Sequence, residues 1–454
     1  MGGTIPLPGA FMATSPSGLS AEPEPQPELR PHNAYENPHE GTYEGRKLSV
    51  LIVSESSLEQ TNGVSGSIKR ILDRFAERGF EARVIAPQPA PADGTYAGFP
   101  VAEEPSWPIQ HFNVAICTKT PVIQEIKDGP KPDVIHIAAP ISKLGHAALI
   151  AGEELGVPTV AIYQTDVAQY ARRFASQAVD GVDPRPTPHH NKWLRRIGKA
   201  AGDQAERIVA DRIAQMHNLS TLTLAPTDQA RKRLESFGVD PKLIRIWGRG
   251  VDSTLFNPER ADTPAVRELH RRWSHDGTVP VVGYVGRLAP EKQVDRLIVL
   301  ADLDVQLVVV GGGPCEEELH DRLPNAVFTG MLHGDDLADA YAALDVFVHT
   351  GAEETFGQTI QEAMATGLPV IAPDSGGPID LVHDGESGLL FDPSDDADLH
   401  DCVARLIKER YLRARMGETG YRLVRNRTWP MMVDRLIDYY RLAIELNLAH
   451  SANR

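Results

Sequence analysis

Short runs of apolar, mostly β-branched residues recur along the chain, separated by longer stretches in which apolar positions return every third or fourth residue. The runs Leu48 to Val53, Ala82 to Ala86, Val134 to Ile137, Thr159 to Tyr163 and Thr221 to Leu224 have few polar interruptions, which predicts strands buried on both faces. A second series, Val279 to Val285, Val305 to Val310, Ala326 to Thr329, Val346 to Val348 and Pro369 to Ala372, follows a connecting segment from Arg245 to Asp276. The pattern predicts an α/β chain with two consecutive doubly wound, Rossmann-like units of parallel sheet. Ligands of open α/β sheets collect beyond the carboxyl ends of strands, so the cleft between the units is the expected site. After Trp429-Pro430, the stretch Met431 to Leu448 predicts a last helix that crosses back to the first unit.

The pattern divides the chain into an amino-terminal tail at 1–46, a first unit at 47–245, a second at 246–430 and the last helix at 431–454. The tail is rich in Pro, Glu, Ser and Gly and is expected to be disordered, because it cannot repay the entropy of ordering. With 46 Lys and Arg against 62 Asp and Glu the formal charge is -16, which argues against a nucleic-acid partner. Cys117, Cys315 and Cys402 lie far apart, so neither a disulfide framework nor a zinc site is expected, and a reducing cytoplasm fits. No run of about 18 apolar residues exists, and the amino terminus has no basic-then-apolar leader, so any membrane contact is expected to be peripheral.

Chemistry enters with the loops that leave the strands. Ser54 to Ser67 carries Gly63 into a helix whose amino terminus offers N–H donors to an anion, although a turn needing positive φ explains that glycine equally well. The dinucleotide fingerprint and the P-loop are both absent. In the second unit, Gly286-Arg287-Leu288-Ala289-Pro290-Glu291-Lys292 places a guanidinium fork and a compact ammonium on the loop leaving the first strand. That pair suits a diphosphate; the alternative is a solvated loop bonded to Glu291. After Val346 to Val348 come Glu354 and Glu362, eight residues apart across a loop-to-helix boundary. One carboxylate suits sugar hydroxyls and the other a ribose diol. The Phe356, Gly357 and Gln358 amides are placed to meet phosphate from the helix start. Met331, after Ala326 to Thr329, is the candidate for contact with the base.

These motifs, in this order and strand context, resemble the retaining glycosyltransferases of family 4, built as two facing Rossmann-like domains in the GT-B architecture. The resemblance runs from Lys47 to Ala449. Through Val160 to Val167, Trp247 to Asp252 and Asp345 to His349 the chain is similar to the GDP-mannose-dependent α-mannosyltransferases that act on glucuronosyl diacylglycerol. The resemblance implies that Arg287 and Lys292 hold the donor diphosphate, Glu362 the ribose, and Glu354 the transferred sugar, with Gly63 on a loop closing over the phosphates. Many members have His where this chain has Gln164, so an imidazole role does not carry over; Gln164 and Asp166 are left as acceptor-side candidates.

The resemblance further implies front-face attack by the acceptor hydroxyl, giving an α-linked product with retained configuration, its proton passing to the leaving phosphate. The site cations supply the charge neutralisation that Mg²⁺ gives elsewhere, so no metal or other cofactor is expected. Asp302-Leu303-Asp304 and Asp396-Ala397-Asp398 read as solvated carboxylates. A lipid acceptor requires peripheral contact with an anionic membrane at the cytoplasmic face, and Tyr170 to Lys199 carries Arg172, Arg173, Arg185, Lys192, Arg195, Arg196 and Lys199 beside Trp193, Leu194 and Ile197. The alternative there is a solvated helix face with Trp193 turned inward. A UDP-sugar-dependent lipid glycosyltransferase, a phosphatidylinositol mannosyltransferase and a non-catalytic sugar-nucleotide-binding protein remain as competing functions.

Overall fold

The structure is a computed structural model that describes residues 42–43, 46–60, 62–109, 112–115, 124, 129–180 and 192–452. Of the expected tail, residues 42–43 and 46–47 instead form a short antiparallel hairpin, Thr42–Tyr43 with Arg46–Lys47, two β-favouring residues leading its first strand. The rest of that expectation, Cys117 and Arg185 lie outside the described residues, as do the side chains of 192–197.

The first sheet comprises β1 (Ser49–Val53), β2 (Glu81–Pro87), β3 (Thr95–Tyr96), β4 (Phe99–Glu104), β5 (Val134–Ile137), β6 (Thr159–Ile162), β7 (Leu222–Ala225) and β8 (Ile244–Ile246). Its order is β8-β7-β6-β5-β1-β2-β4-β3, parallel except between β3 and β4. The second comprises β9 (Val281–Val285), β10 (Gln306–Val310), β11 (Val327–Gly330), β12 (Val346–Val348), β13 (Val370–Pro373) and β14 (Gly388–Phe391), in the all-parallel order β11-β10-β9-β12-β13-β14. Each sheet changes winding direction beside its first strand, which opens a crevice at the carboxyl ends there. The second sheet's strands are apolar at nearly every position because both faces are covered. Val281, Val285, Val308 and Phe347 meet Ile360 and Met364 on one side, and Val282, Tyr284, Val309 and Val346 meet Leu399, Val403 and Leu406 on the other.

The ten predicted strands exist, with ends displaced by at most two residues. The expectation missed β3, β4, β8 and β14: β3 is a two-residue edge, Pro100 and paired glutamates interrupt the apolar run of β4, β8 is a three-residue edge, and β14 opens on glycine. The connecting segment is correspondingly more structured than expected. It begins inside β8 and holds a helix, Pro264–Trp273, whose start is fixed by Thr263 Oγ1 accepting from Val266 N at 3.3 Å.

The helix α1 (Gly63–Arg78) follows β1, and α2 (Val167–Asp180) and α3 (Lys192–Asn218) lie between β6 and β7. In the second unit α4 (Gln358–Ala365) follows β12, and the chain ends in α5 (Trp429–Ala452). Val433, Leu436, Ile437, Tyr440 and Ile444 give α5 an apolar stripe at three- and four-residue spacing, buried against α1, β5 and β6 of the first unit. Trp247 Nε1 donates to Met432 O at 2.7 Å, Tyr439 Oη to Ile246 O at 2.8 Å, and the Tyr440 hydroxyl lies 2.8 Å from His136 Nδ1. The two passages between units run side by side, Val251 N donating to Arg427 O at 2.8 Å. Among the described residues no helix is long and apolar enough to cross a membrane.

Candidate active site

The loop leaving β9, Gly286 to Lys292, rests on the glycine turn after β10: Gly286 N donates to Val310 O and Leu288 N to Gly312 O, both at 3.0 Å. A Cβ on Gly311, where φ is +136°, would fall 1.9 Å from Gly286 O, so only glycine permits this approach. The loop leaving β12 is clamped alongside, with Thr350 Oγ1 donating to Lys292 O at 2.6 Å and Ala352 N to Gln293 Oε1 at 3.1 Å. On this platform Lys292 Nζ stands 2.6 Å from Glu354 Oε2. Burial would push the ammonium down and the carboxyl up, but each keeps its partner charged, so Lys292 lies above its ordinary pKa and Glu354 below. His349 Nε2 is buried 3.8 Å from the same carboxylate without a hydrogen bond, and burial pushes the imidazole down to about 4, so it is neutral at pH 7.

The two predicted cations do not converge on Glu354. Arg287 pairs with Glu291, the arrangement expected of a solvated loop, and its side chain is 40% exposed. Glu362 is set apart too. Helix α4 starts only at Gln358, so the eight-residue interval is half loop and half helix rather than a helical repeat. The Glu362 carboxyl accepts from Tyr341 Oη at 3.1 Å and Gln358 Nε2 at 3.3 Å, and burial pushes it up to about 7. Gly357 turns the chain into α4 with φ at +100°, and no side chain caps the helix, so its first-turn amides are open to an anion. Phe356, just before, is buried in the core, whereas Met331 after β11 is 60% exposed.

The opposite wall belongs to the first unit. Gly63 opens α1 facing open space, but Asn62 Oδ1 accepts from Val64 N and Ser65 N at 3.0 Å each, so an asparagine cap already occupies the amino terminus expected to meet an anion. The Gln164 amide is likewise engaged: Nε2 donates to Ala138 O at 3.2 Å, and Oε1 accepts from Arg249 Nη2 at 2.6 Å. Asp166 is no open acceptor-side group. Its Oδ1 accepts from Gln169 N at 3.1 Å, capping α2, and its Oδ2 pairs with Arg233 at 2.9 Å. The walls touch where Thr355 Oγ1 donates to Gln164 O at 2.7 Å and Thr227 Oγ1 to Thr355 O at 3.0 Å.

Sequence reasoning missed Arg249, His349 and Tyr341 as site residues. Arg249 is buried with neutral partners, Gln164 and Ser67 Oγ at 3.1 Å, and no carboxylate. Its lone charge between glycines was the available signal; Tyr341 meets Glu362 across 21 residues and left none. The basic stretch is also partly neutralised: Arg172 pairs with Asp203 and Glu206, and Arg173 with Glu353. Among the described residues no three His, Cys, Asp or Glu side chains gather as a metal site. Of the two Asp-x-Asp stretches, Asp396 pairs with Arg296 at 2.6 Å, Asp398 accepts from Asp392 N at 2.7 Å, and Asp302 lies 3.3 Å from His400.

Two family descriptions match the chain, Glycosyltransferase Family 4 over residues 61–255 and Glycosyl transferases group 1 over residues 266–423. A GDP-mannose-dependent alpha-mannosyltransferase of Mycolicibacterium smegmatis is 42% identical over 405 residues, spanning 87% of this chain and 98% of the relative. One of the same description from Mycobacterium tuberculosis is 40% identical, spanning 87% and 96%. Among solved structures, Anabaena HepE in complex with UDP and glucose superposes with a TM-score of 0.64 at 20% identity, over 86% of this chain and 98% of that one. Sucrose-phosphate synthase from Thermosynechococcus elongatus gives 0.64 at 18% identity, over 87% and 99%. At such identities these two likenesses speak for the fold, two facing Rossmann-like domains.

Proposed function

The chain belongs to the glycosyltransferases of family 4 and group 1, and on that footing we propose that it moves a mannosyl residue from GDP-mannose to a glycolipid acceptor of the glucuronosyl diacylglycerol type, with retained α configuration. The observation that carries this reading is the half-buried Lys292–Glu354 pair at 2.6 Å in the mouth of the second sheet. It gains support from 35% to 42% identity with three GDP-mannose-dependent alpha-mannosyltransferases.

In this reading 246–430 is the donor side, 47–245 the acceptor side, and 431–454 ties the chain's end to the acceptor side. The donor diphosphate takes its place between Lys292, Arg287 and the open amides at Gly357 and Gln358, on the floor made by Gly286 and Phe356. Glu362 receives the ribose hydroxyls, Met331 faces the base, and the loop at Gly63 covers the phosphates. Breaking the glycosyl–phosphate bond puts negative charge on the diphosphate, and fixed donors aimed at that charge lower the barrier by roughly 3 kcal/mol each. Lys292 is then shared with the leaving phosphate, which frees Glu354 for a hydroxyl of the sugar. The acceptor hydroxyl attacks on the face the phosphate leaves and passes its proton to a phosphate oxygen. No metal takes part, and the enzyme meets the lipid head group by peripheral contact with an anionic membrane at its cytoplasmic face.

The test is the product. Incubation with GDP-mannose and glucuronosyl diacylglycerol in EDTA yields a mannosylated lipid whose anomeric carbon reads as α by NMR. A β product overturns the retaining mechanism, and a need for Mn²⁺ overturns the metal-free scheme.

The Glu362 assignment has its own pH signature. With its carboxyl pushed up to about 7, the ionised form that accepts ribose hydroxyls is the minority at pH 6 and the majority at pH 8. GDP-mannose, whose diphosphate diester does not titrate in this range, therefore binds roughly tenfold more tightly at pH 8 than at pH 6, releasing a proton. Calorimetry on Glu362→Gln should give weaker and nearly pH-independent binding; an unchanged slope removes Glu362 from the donor site.

A further inference from the structure

One carboxyl in the cleft has no assigned task. Glu55 leaves β1 in a loop whose other polar groups are bonded to one another: Ser54 Oγ donates to Ser56 O at 2.6 Å, Asn62 Nδ2 to Ser56 Oγ at 2.7 Å, Ser65 Oγ to Ser57 O at 2.8 Å, and Ser57 Oγ reaches across to Pro89 O. Apart from the solvent-exposed Glu59, Glu55 is the side chain that takes no part, and it has no hydrogen-bond or ion-pair partner among the described residues. It lines a small pocket at the carboxyl ends of β1, β5 and β6, together with Pro140, Ile141, Tyr163, Gln164 and His217. The Tyr163 hydroxyl is closed off from solvent beside Asp166. A carboxyl without a hydrogen-bond partner in a mostly apolar pocket is an unmet acceptor that the hydroxyls of an incoming molecule can satisfy.

We propose that Glu55 is the residue that recognises the acceptor, its carboxylate accepting from hydroxyls on the edge of the acceptor sugar while Pro140 and Ile141 pack against the ring's C–H face. The partner chemistry is that of a sugar ring, apolar on its faces and rich in hydroxyls around its rim. A nucleotide phosphate does not fit, because the pocket presents a carboxylate and no cation, and for the same reason the acid group of a uronic acid has to point out of the pocket, leaving the ring hydroxyls to meet Glu55. Burial pushes the Glu55 carboxyl up to about 7, so ordinary changes of pH decide its charge. The other titratable groups facing the pocket do not confuse that change. Burial pushes His217, with Nδ1 3.0 Å from Thr223 Oγ1, down to about 3, and keeps Tyr163 protonated, so both stay neutral from pH 6 to pH 8.

This inference rests on the proposed transfer to a glycolipid, and Glu55→Gln, with the shape kept and the charge removed, separates the two. At saturating GDP-mannose, KM for glucuronosyl diacylglycerol in mixed micelles should fall for the unaltered enzyme as pH rises through 7. In the variant it should be about tenfold higher and flat with pH, with kcat much less affected, as expected when a charged hydrogen bond to a hydroxyl is lost. An unchanged KM and an unchanged pH profile overturn the role of Glu55 while leaving the transfer reading intact. If the unaltered enzyme forms no product, that reading fails, and saturation-transfer NMR with methyl glucoside and methyl glucuronide still decides the inference. Signals that weaken in Glu55→Gln uphold a sugar pocket, and equal or absent signals in both proteins overturn it.

Discussion

Lys292→Ala loses on the order of a thousandfold in the rate of sugar transfer, because the substitution removes a fixed cation from the developing charge on the leaving diphosphate. It also strands Glu354, a half-buried carboxylate with Lys292 as its ion-pair partner at 2.6 Å, and leaving a partly buried charge uncompensated is itself destabilising. The relief available to Glu354 is protonation, so its pKa rises from below the ordinary range to above it. Lys292→Arg keeps a charge but not a compact one, and should recover only part of the rate. The check is kcat/KM for GDP release alongside the far-ultraviolet circular dichroism of the variant. Folded protein with near-normal turnover would mean that the leaving group is stabilised elsewhere.

Trp247→Ala should cost roughly 3 to 5 kcal/mol of stability, read from the urea midpoint. The ring is 2% exposed and fills the junction between β8 and α5, and its Nε1 is the donor to Met432 O. Losing it opens a large cavity and removes one hydrogen bond that ties the start of α5 to the segment after β8. Because α5 closes over α1, β5 and β6, the loss falls on the first unit's sheet as much as on the helix. Trp247→Phe, which fills most of the space, should cost clearly less. A midpoint unmoved by the alanine variant would show that α5 is held by other contacts.

The doubly wound architecture was readable because its strands are buried on both faces, and such strands announce themselves as apolar runs. Those with one exposed edge, Phe99–Glu104 and Ile244–Ile246, mix charge and proline into the run and escape the pattern. In the second unit, Lys292 and Glu354, both singled out from the sequence, are brought together as ion partners across 62 residues. What the motif could not convey is the division of labour, with Arg287 turned to Glu291 and Glu362 held by Tyr341, since both depend on residues brought near only by the fold. In the first unit the two carboxyls differ in their partners. Asp166 is taken up by a helix cap and Arg233, whereas Glu55, which sits in no motif, is the carboxyl left open. A cap and an open site use the same residue types, and only the partners tell them apart.

Nucleotide release from the purified protein given GDP-mannose, GDP-glucose or UDP-glucose in turn, with and without an extracted polar-lipid fraction, decides whether this site transfers mannose. GDP should be released from GDP-mannose, dependent on the lipid, with little nucleotide from the other donors. Release of UDP from UDP-glucose instead would contradict the donor assignment, and no release from any donor would contradict the claim that this site transfers a sugar.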